Sequence, residues 1–469
     1  MTKIINSRRE LFELMNRGDI KVKLGIGTIL LALGGTFIDA YDFGSIGIGV
    51  LQLTQVFHLT AFLVGTMTAA MAFGALVGAL YGGRLIDRIG RYEMFLIDLI
   101  LFVIGAIGAA LSVNFPMLLF FRFLIGVGVG IDFPAALSLI AEYSSLKSKG
   151  RNVNLWQAMW YIATVIIYTV AFLMYLDYSY FGLNIWRWVI GLGAIPAVII
   201  ITLRYKYMKE SPLWIFARGS PKDIEEFLRT NGYDDIKVKQ TLENVTSFGD
   251  FRKLFKKGYR KRTLLSTTIS VEESLQYFAV GFYLPVILSA IFSGNTLLAV
   301  LGTALVNVAG IAGGTWQALF THKIGVRRLT IIGLIPCFIL LVALGLLGKY
   351  LPIAVTAVLL GLFIFFHSSG PGSQGMTMAT LSFPPNIRGV GTGFTQGMLR
   401  VGSILGFYLL PLLKSYVGLY NALLYLSIAP SISLIVVLLV KWDPVFAGGS
   451  VDLEAFDVSL GMISDTPKT

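Results

Sequence analysis

A small set of ionisable residues stands in stretches of sequence that are otherwise apolar: Asp39, Asp42, Arg122, Asp132, Glu272, Glu273 and Arg400. Charges in such surroundings are costly and mark sites of binding, proton movement or pairing. Asp39 and Asp42 are three residues apart and share a helix face. At 1.5 Å of rise per residue, Asp42 lies about 27 Å along its helix from the expected cytoplasmic end and Arg122 about 30 Å along another, so the two can pair. A carboxylate that alternates between an arginine and a desolvated pocket takes up and releases a proton as conformation changes; the other reading of Asp42 is a permanent structural ion pair. Asp132, Glu272 and Arg400 form a second layer at about 14–17 Å. Arg400 either pairs with Glu272 or Glu273 or holds an anionic substrate. Asp132 is either a second proton carrier or a polar wall residue. Among neutral residues, Gln157, Trp160, Tyr161, Gln276, Tyr277, Asn307, Gln317 and Gln396 suit a solute bearing hydroxyls or an oxyanion, with Gln157 and Gln276 foremost. His367 opens a His-Ser-Ser-Gly-Pro break; it either lines a cavity with unwound backbone or packs as a neutral side chain.

These residues must be positioned by long apolar helices. The 469 residues are 55% hydrophobic and only 14% charged, too little charge for the surface of a soluble protein of that length. Solid apolar runs such as Ala61–Gly83, Met94–Val113 and Thr330–Gly348 match the roughly 20 residues a helix needs to cross a bilayer, and they lack the alternation of a barrel strand. The runs predict spans at 24–51, 60–82, 93–112, 117–142, 153–176, 186–205, 263–291, 297–320, 328–348, 352–380, 389–414 and 419–440. The first is too long for a secretory signal and is read as a retained span. Ahead of it, residues 8–16 are read as an amphipathic helix with Leu11, Phe12, Leu14 and Met15 towards lipid, or as a disordered basic leader.

Loop charge sets the orientation. With the N-terminus inside, the inner segments carry 33 lysines and arginines, against Arg187, Lys349 and Lys414 outside. The net charge of +12 is therefore a membrane-topology bias and not a nucleic-acid footprint, and both termini are expected in the cytoplasm. The lone Cys337 excludes an intramolecular disulfide and a cysteine metal cluster. No metalloprotease, Walker or nucleophile-elbow pattern occurs, and the GVGVG run at 126–130 suits close helix packing better than phosphate binding. The halves repeat: Arg88-Ile89-Gly90-Arg91 is echoed by Lys323-Ile324-Gly325-Val326-Arg327-Arg328, Lys149-Gly150 by Arg388-Gly389, and Gln157 by Gln396. The fold class is thus an all-α membrane protein of about twelve transmembrane helices in two pseudo-symmetric six-helix bundles, each with inverted repeats. The expected units are a leader (1–23), an N-terminal bundle (24–205), a partly helical charged linker (206–262), a C-terminal bundle (263–441) and a tail (442–469).

Gly83-Arg84-Leu85-Ile86-Asp87-Arg88-Ile89-Gly90-Arg91 resembles, at every fixed position, the G-x-L-x-D-R-x-G-R loop of the major facilitator superfamily, and the resemblance covers nearly the whole chain. It implies a gate in which Gly83 and Gly90 turn the chain and Asp87 bonds to the N-terminal end of the eleventh helix, with Arg88, Arg91, Glu142 and Arg151 in the same motif set. Within the superfamily, Tyr41-Asp42 and Arg122 resemble the coupling aspartate of sugar porters and its arginine, and Glu210-Ser211-Pro212-Leu213-Trp214 resembles their E-S-P-R-W stretch. Gly130-Ile131-Asp132-Phe133-Pro134 with Glu142 is similar to a phosphate:proton symporter motif. Glu272-Glu273 replaces the sugar porters' paired glutamines, and Gly370-Pro371-Gly372 departs from the phosphate symporters' G-P-N, so neither substrate carries over.

The expected function is proton-coupled symport of a small polar metabolite (sugar, sugar acid, organic acid or phosphate), the alternative being an uncoupled facilitator of a sugar-like solute. A nutrient sensor and a drug exporter are weaker readings. No enzyme activity, cofactor, metal or nucleic acid is expected. The partners are substrate, proton and the bilayer, for a monomer in the plasma membrane.

Overall fold

The computed structural model describes residues 3–17, 19–20, 26–144, 146–239, 242, 251–447 and 450–457. Lys21 and Lys23 of the basic leader, and the tail beyond residue 457, lie outside the described residues. Among the described residues, twelve helices are long and apolar enough to cross a membrane. The first six are Gly27–Val56, Ala61–Gly83, Arg91–Ala110, Phe115–Tyr143, Ser148–Leu176 and Tyr178–Tyr207. The second six are Arg260–Ile291, Thr296–Ile324, Val326–Leu347, Ile353–Ser382, Arg388–Val417 and Leu419–Ala447. An even number of crossings puts both termini on one side.

Local chemistry sets where these helices begin and bend. The side chains of Asn114 and Asn295 cap the fourth and eighth spans, accepting from Met117 N at 2.9 Å and Leu298 N at 3.0 Å. In the seventh span the winding loosens into a π-turn at Tyr277–Gly281, a distortion that tends to mark functional sites. The tenth span breaks at Gly370, where the helix Ile353–Ser369 ends and another starts at Pro371. Packing between the halves runs chiefly between spans two and eleven and between five and eight. The GVGVG run packs the fourth span onto the second: a Cβ at Gly126 or Gly130 would collide with the Met71 or Ala75 carbonyl.

The two halves share a device at matching corners. Gly90 and Gly325 adopt φ of 120° and 90°, backbone that a residue with a Cβ rarely takes. Each frees the start of the next helix for a carboxylate from the end of its own half. Glu210 accepts from Arg91 N (3.0 Å) and Tyr92 N (3.1 Å), and Asp443 accepts from Arg327 N (2.9 Å). Burial raises the Glu210 carboxyl above the ordinary range, against the pull of Arg91 and its backbone donors.

The N-terminal helix, Arg8–Arg17, forms, but it does not face lipid. Leu11 and Phe12 are fully buried with Phe216, Ile224 and Leu228 in a small core built on the helices Pro212–Arg218 and Pro221–Thr230. Arg8 closes the end of the first of these helices by donating to Phe216 O (2.5 Å) and Gly219 O (3.1 Å). A parallel pair of short strands, β1 (Lys3–Ile5) and β2 (Ile236–Val238), ties leader to linker. The apolar face found a protein partner because the linker carries a matching one.

Candidate functional site

A small cavity lies between the halves. Gln157, Trp160, Glu273, Tyr277 and Arg400, all expected at the site, line it. So do Phe133, Trp156, Phe278 and Leu399, which sequence reasoning passed over because apolar side chains in membrane helices carry no distinguishing signal. His367 and Gly372, on either side of the break in the tenth span, complete the wall. Trp160 Nε1 donates to Tyr277 Oη at 2.8 Å, joining spans five and seven across the cavity. The room left free is little more than that of a single water. Contacts join the halves towards both ends: Tyr408 and Thr66 hydroxyls meet at 3.1 Å on the side away from the termini, and a charged network bridges the halves on the other.

The other expected contact residues sit apart from it. Tyr161 is buried against Gly310, and Gln276 and Gln396 are fully buried with no hydrogen-bond partner for either amide atom. Glu272 likewise has two unpartnered carboxylate oxygens. One residue is about 100° of helix turn, so Glu272 and Glu273 point to different neighbours. Glu272 interacts electrostatically with Cys337 of the ninth span, while Glu273 faces the cavity beside His367 (Oε2–Nε2 3.9 Å). The expected ion pair between Arg400 and either glutamate is not formed: neither lies within the 4.0 Å ion-pair distance. Arg400 instead lies over the rings of Phe43 (5.2 Å) and Phe133 (5.9 Å).

In the N-terminal half, Arg122 Nη1 pairs with Asp42, both wholly buried, and Arg122 Nη2 reaches Met71 Sδ at 3.1 Å. Asp39, one turn back, has an unpartnered Oδ2 and interacts electrostatically with Asp132, Arg400, Asp42 and Arg204. Asp132 is bound by Arg204 Nη2 at 3.1 Å, whose Nη1 lies 3.5 Å from Asp98. Arg204 had the look of a loop charge at the end of the sixth span, yet it is 0% exposed. Asp98 was legible as a lone carboxylate in the Met94–Val113 run and was missed.

The gate motif is helical where a loop was expected. The second helix runs to Ile89, so only Gly90 makes a turn. Gly83 serves a close approach: a Cβ there would stand 2.5 Å from Gly389 O of the eleventh span. The side chain of Asp87 lies outside the described residues, and Arg88 is exposed. Arg151 is exposed too and, among the described residues, donates to Asn152 Oδ1 at 3.2 Å. The buried centre is Glu142, whose Oε1 accepts from Arg91 Nη2 (2.9 Å) and Arg388 Nη1 (3.0 Å), while Oε2 accepts from Ser211. Arg388 also binds Asp452 (2.5 Å), which takes Lys149 at 2.7 Å. Burial would raise Asp452, but Lys149 and Arg388 outweigh it and hold the carboxyl at about 2. Next to it, Glu454 grips Arg262 through two bonds of 2.8 and 2.9 Å. The segment expected as a plain polar tail is thus a docked helix, Ser450–Asp457, joining both halves.

Residues 27–442 match the sequence family described as Sugar (and other) transporter. YaaU, a putative metabolite transport protein of Escherichia coli (strain K12), is 30% identical over 404 residues, 84% of this chain and 87% of that one. The glucose transporter GlcP of Staphylococcus epidermidis is 27% identical over 437 residues, 90% and 95% of the two chains. Among solved structures, the proton:xylose symporter XylE of E. coli aligns over 94% of this chain and 99% of its own with a TM-score of 0.77; at 20% identity this is a likeness of fold. Each is a transport protein and none is an enzyme. Twelve spans in two halves, a cavity between them and a family match across almost the whole chain agree: the protein belongs to the sugar (and other) transporter family of the major facilitator superfamily.

Proposed function

We propose that the protein is a proton-coupled symporter of a small polar metabolite (sugar, sugar acid, organic acid or phosphate) that works by alternating access as a monomer in the plasma membrane. The side bearing the termini is cytoplasmic, in keeping with the excess of lysine and arginine there. The observation that carries the reading is the wholly buried Asp42–Arg122 pair. In a low-dielectric interior each charge depends on the other, so protonating Asp42 releases Arg122 and changes which packing of the half is preferred. Proton binding and conformation are thereby linked. Asp39, one turn away and also near Arg400, connects this pair to the cavity. On the cytoplasmic side, the Glu142 network and Asp452 hold the halves together and must part to open the cavity inward. The names of GlcP and XylE, a glucose transporter and a proton:xylose symporter, support both a sugar-like solute and a proton.

The test is uptake into proteoliposomes of labelled glucose, xylose, glucuronate and phosphate, with and without an imposed pH gradient. At least one solute should accumulate above its external concentration, and a protonophore should abolish the excess. A solute that only equilibrates, whatever the gradient, would leave an uncoupled facilitator instead.

A further inference from the structure

We infer that the cavity takes a small monovalent carboxylate, with Arg400 as the group that holds it; this rests on the transport reading and names its substrate class. Arg400 is 1% exposed and lines the cavity. Its Nε and Nη1 have no hydrogen-bond partner, and it has no ion pair among the described residues. Its counter-charges, Asp39 and Glu273, act on it from beyond ion-pair distance, and its other neighbours are the Phe43 and Phe133 rings. Its buried Nε and Nη1 are thus left without acceptors, a costly arrangement that points to a missing partner. Glu273 is on the same cavity wall and interacts with Arg400 electrostatically, but beyond ion-pair distance. It balances the arginine across a gap and leaves its N–H groups free.

The unpartnered groups on the wall identify what would fill that gap. Arg400 Nε and Nη1 and Trp156 Nε1 are donors without acceptors, Gln157 Oε1 is an unpartnered acceptor, Glu273 adds a carboxylate to the same wall, and His367 Nδ1 takes either role with its tautomer. A neutral sugar could place its hydroxyls on Gln157 and Glu273, but it brings no charge for the guanidinium. A carboxylate brings acceptors only, together with the charge that a guanidinium binds best. The remaining wall is aromatic, with Phe133, Trp160, Tyr277 and Phe278 presenting ring faces and edges to the body of the ligand. Once the halves part far enough to admit a ligand, such a wall suits either a planar aromatic ring or the apolar face of a sugar acid. The shared feature is the carboxylate.

Binding to the purified full-length protein tests this without requiring transport. Thermal unfolding and tryptophan fluorescence, to which Trp156 and Trp160 contribute among the seven tryptophans, would be followed against benzoate, glucuronate and glucose. At least one carboxylate should raise Tm and change the fluorescence, while glucose does neither; benzoate or glucuronate binding tighter tells an aromatic from a sugar acid. Arg400→Gln should weaken carboxylate binding by about tenfold to a hundredfold, and Arg400→Lys should recover part of it. If Arg400→Gln does not fold, protection of the wild-type arginine from phenylglyoxal by the same carboxylates replaces it. Glucose binding while both carboxylates stay silent, binding by none of the three, or carboxylate binding unchanged in Arg400→Gln overturns the inference. Uptake of a neutral sugar by a protein that ignores carboxylates sinks it and leaves the transport reading standing. Carboxylate binding without uptake of any solute sinks the transport reading alone.

Discussion

Arg388 of the eleventh span and Glu142 of the fourth meet across the two halves, Nη1 to Oε1 at 3.0 Å, with both side chains buried. The same carboxylate accepts from Arg91 and Ser211, so one acid bridges two arginines and takes a hydroxyl hydrogen bond. Glu142→Gln removes the negative charge that bridges Arg91 to Arg388 and leaves Asp452 on Arg388. Breaking a buried pair from one side costs about 3–5 kcal/mol, and a shift of only ~1.4 kcal/mol is tenfold in population. The closed state on the terminus-bearing side should therefore lose ground. A single cysteine at Leu399 on the cavity wall, introduced with Cys337→Ser, should then react faster from that side. Unchanged reactivity from both sides would remove Glu142 from the gate.

Asp452 gives the docked C-terminal helix a pH dependence. Its folded-state value of about 2 is below the ordinary 3.8, so the contact stabilises the protein fully above about pH 4 and is lost as pH falls towards about 2. At ~1.4 kcal/mol per unit the effect is about 2 kcal/mol. Wild type should unfold at higher temperature than Asp452→Asn near neutrality, and the difference should shrink on acidification through that window. A difference that is undiminished near pH 2 would mean that the variant acts through packing and not through charge.

What the sequence made legible follows from how each signal arises. Span number and the pairing heights of Asp42 and Arg122 depend only on helix rise and apolar length, both of which are local. The GVGVG run and Gly90 were readable because close packing and a positive φ select glycine at the position itself. Arg204 was not legible, because a cation at a span's end looks the same whether it turns to water or inward to Asp98 and Asp132. Nor was the tail: Asp452 acquires its role from Lys149 and Arg388, which are far away in sequence and face it only after the halves assemble. Glu272 and Glu273 looked equivalent side by side, and only helix phase, set by the packing of the whole span, separates them.

Asp42→Asn tests coupling. Asparagine keeps the shape of the side chain but neither holds a charge nor exchanges a proton with solvent, so Arg122 is left without its counter-charge. Accumulation of substrate driven by a pH gradient should be abolished, while exchange of labelled for unlabelled substrate across the vesicle membrane persists in part. A variant that still concentrates substrate on a proton gradient removes Asp42 from the coupling step.

Arg204 offers the sharpest test of how the N-terminal half is held together. Its guanidinium donates to Leu31 O (3.0 Å), Ala32 O (3.1 Å) and Phe95 O (3.2 Å), and also contacts Asp132 and Asp98. It thus ties the first, third and fourth spans to the sixth, and it lies over the Phe95 ring at 4.2 Å. A planar fork with five N–H groups can serve carbonyls and carboxylates in several directions, whereas an ammonium is a point charge with three donors. Arg204→Lys should therefore recover little of what Arg204→Gln loses. The loss itself should be about 3–5 kcal/mol, because two carboxylates are left close together in the interior without their shared cation. Adding Asp98→Asn to Arg204→Gln should return part of the thermal stability, since it removes one of those charges and the repulsion between them. In wild type, Asp98→Asn alone should cost less than Arg204→Gln, because Asp132 remains to balance the arginine. If Arg204→Lys unfolds at the wild-type temperature, charge alone suffices and the fork is unimportant. If the double variant is no more stable than Arg204→Gln, the carboxylates are not what makes the arginine necessary, and its three carbonyl bonds carry the effect.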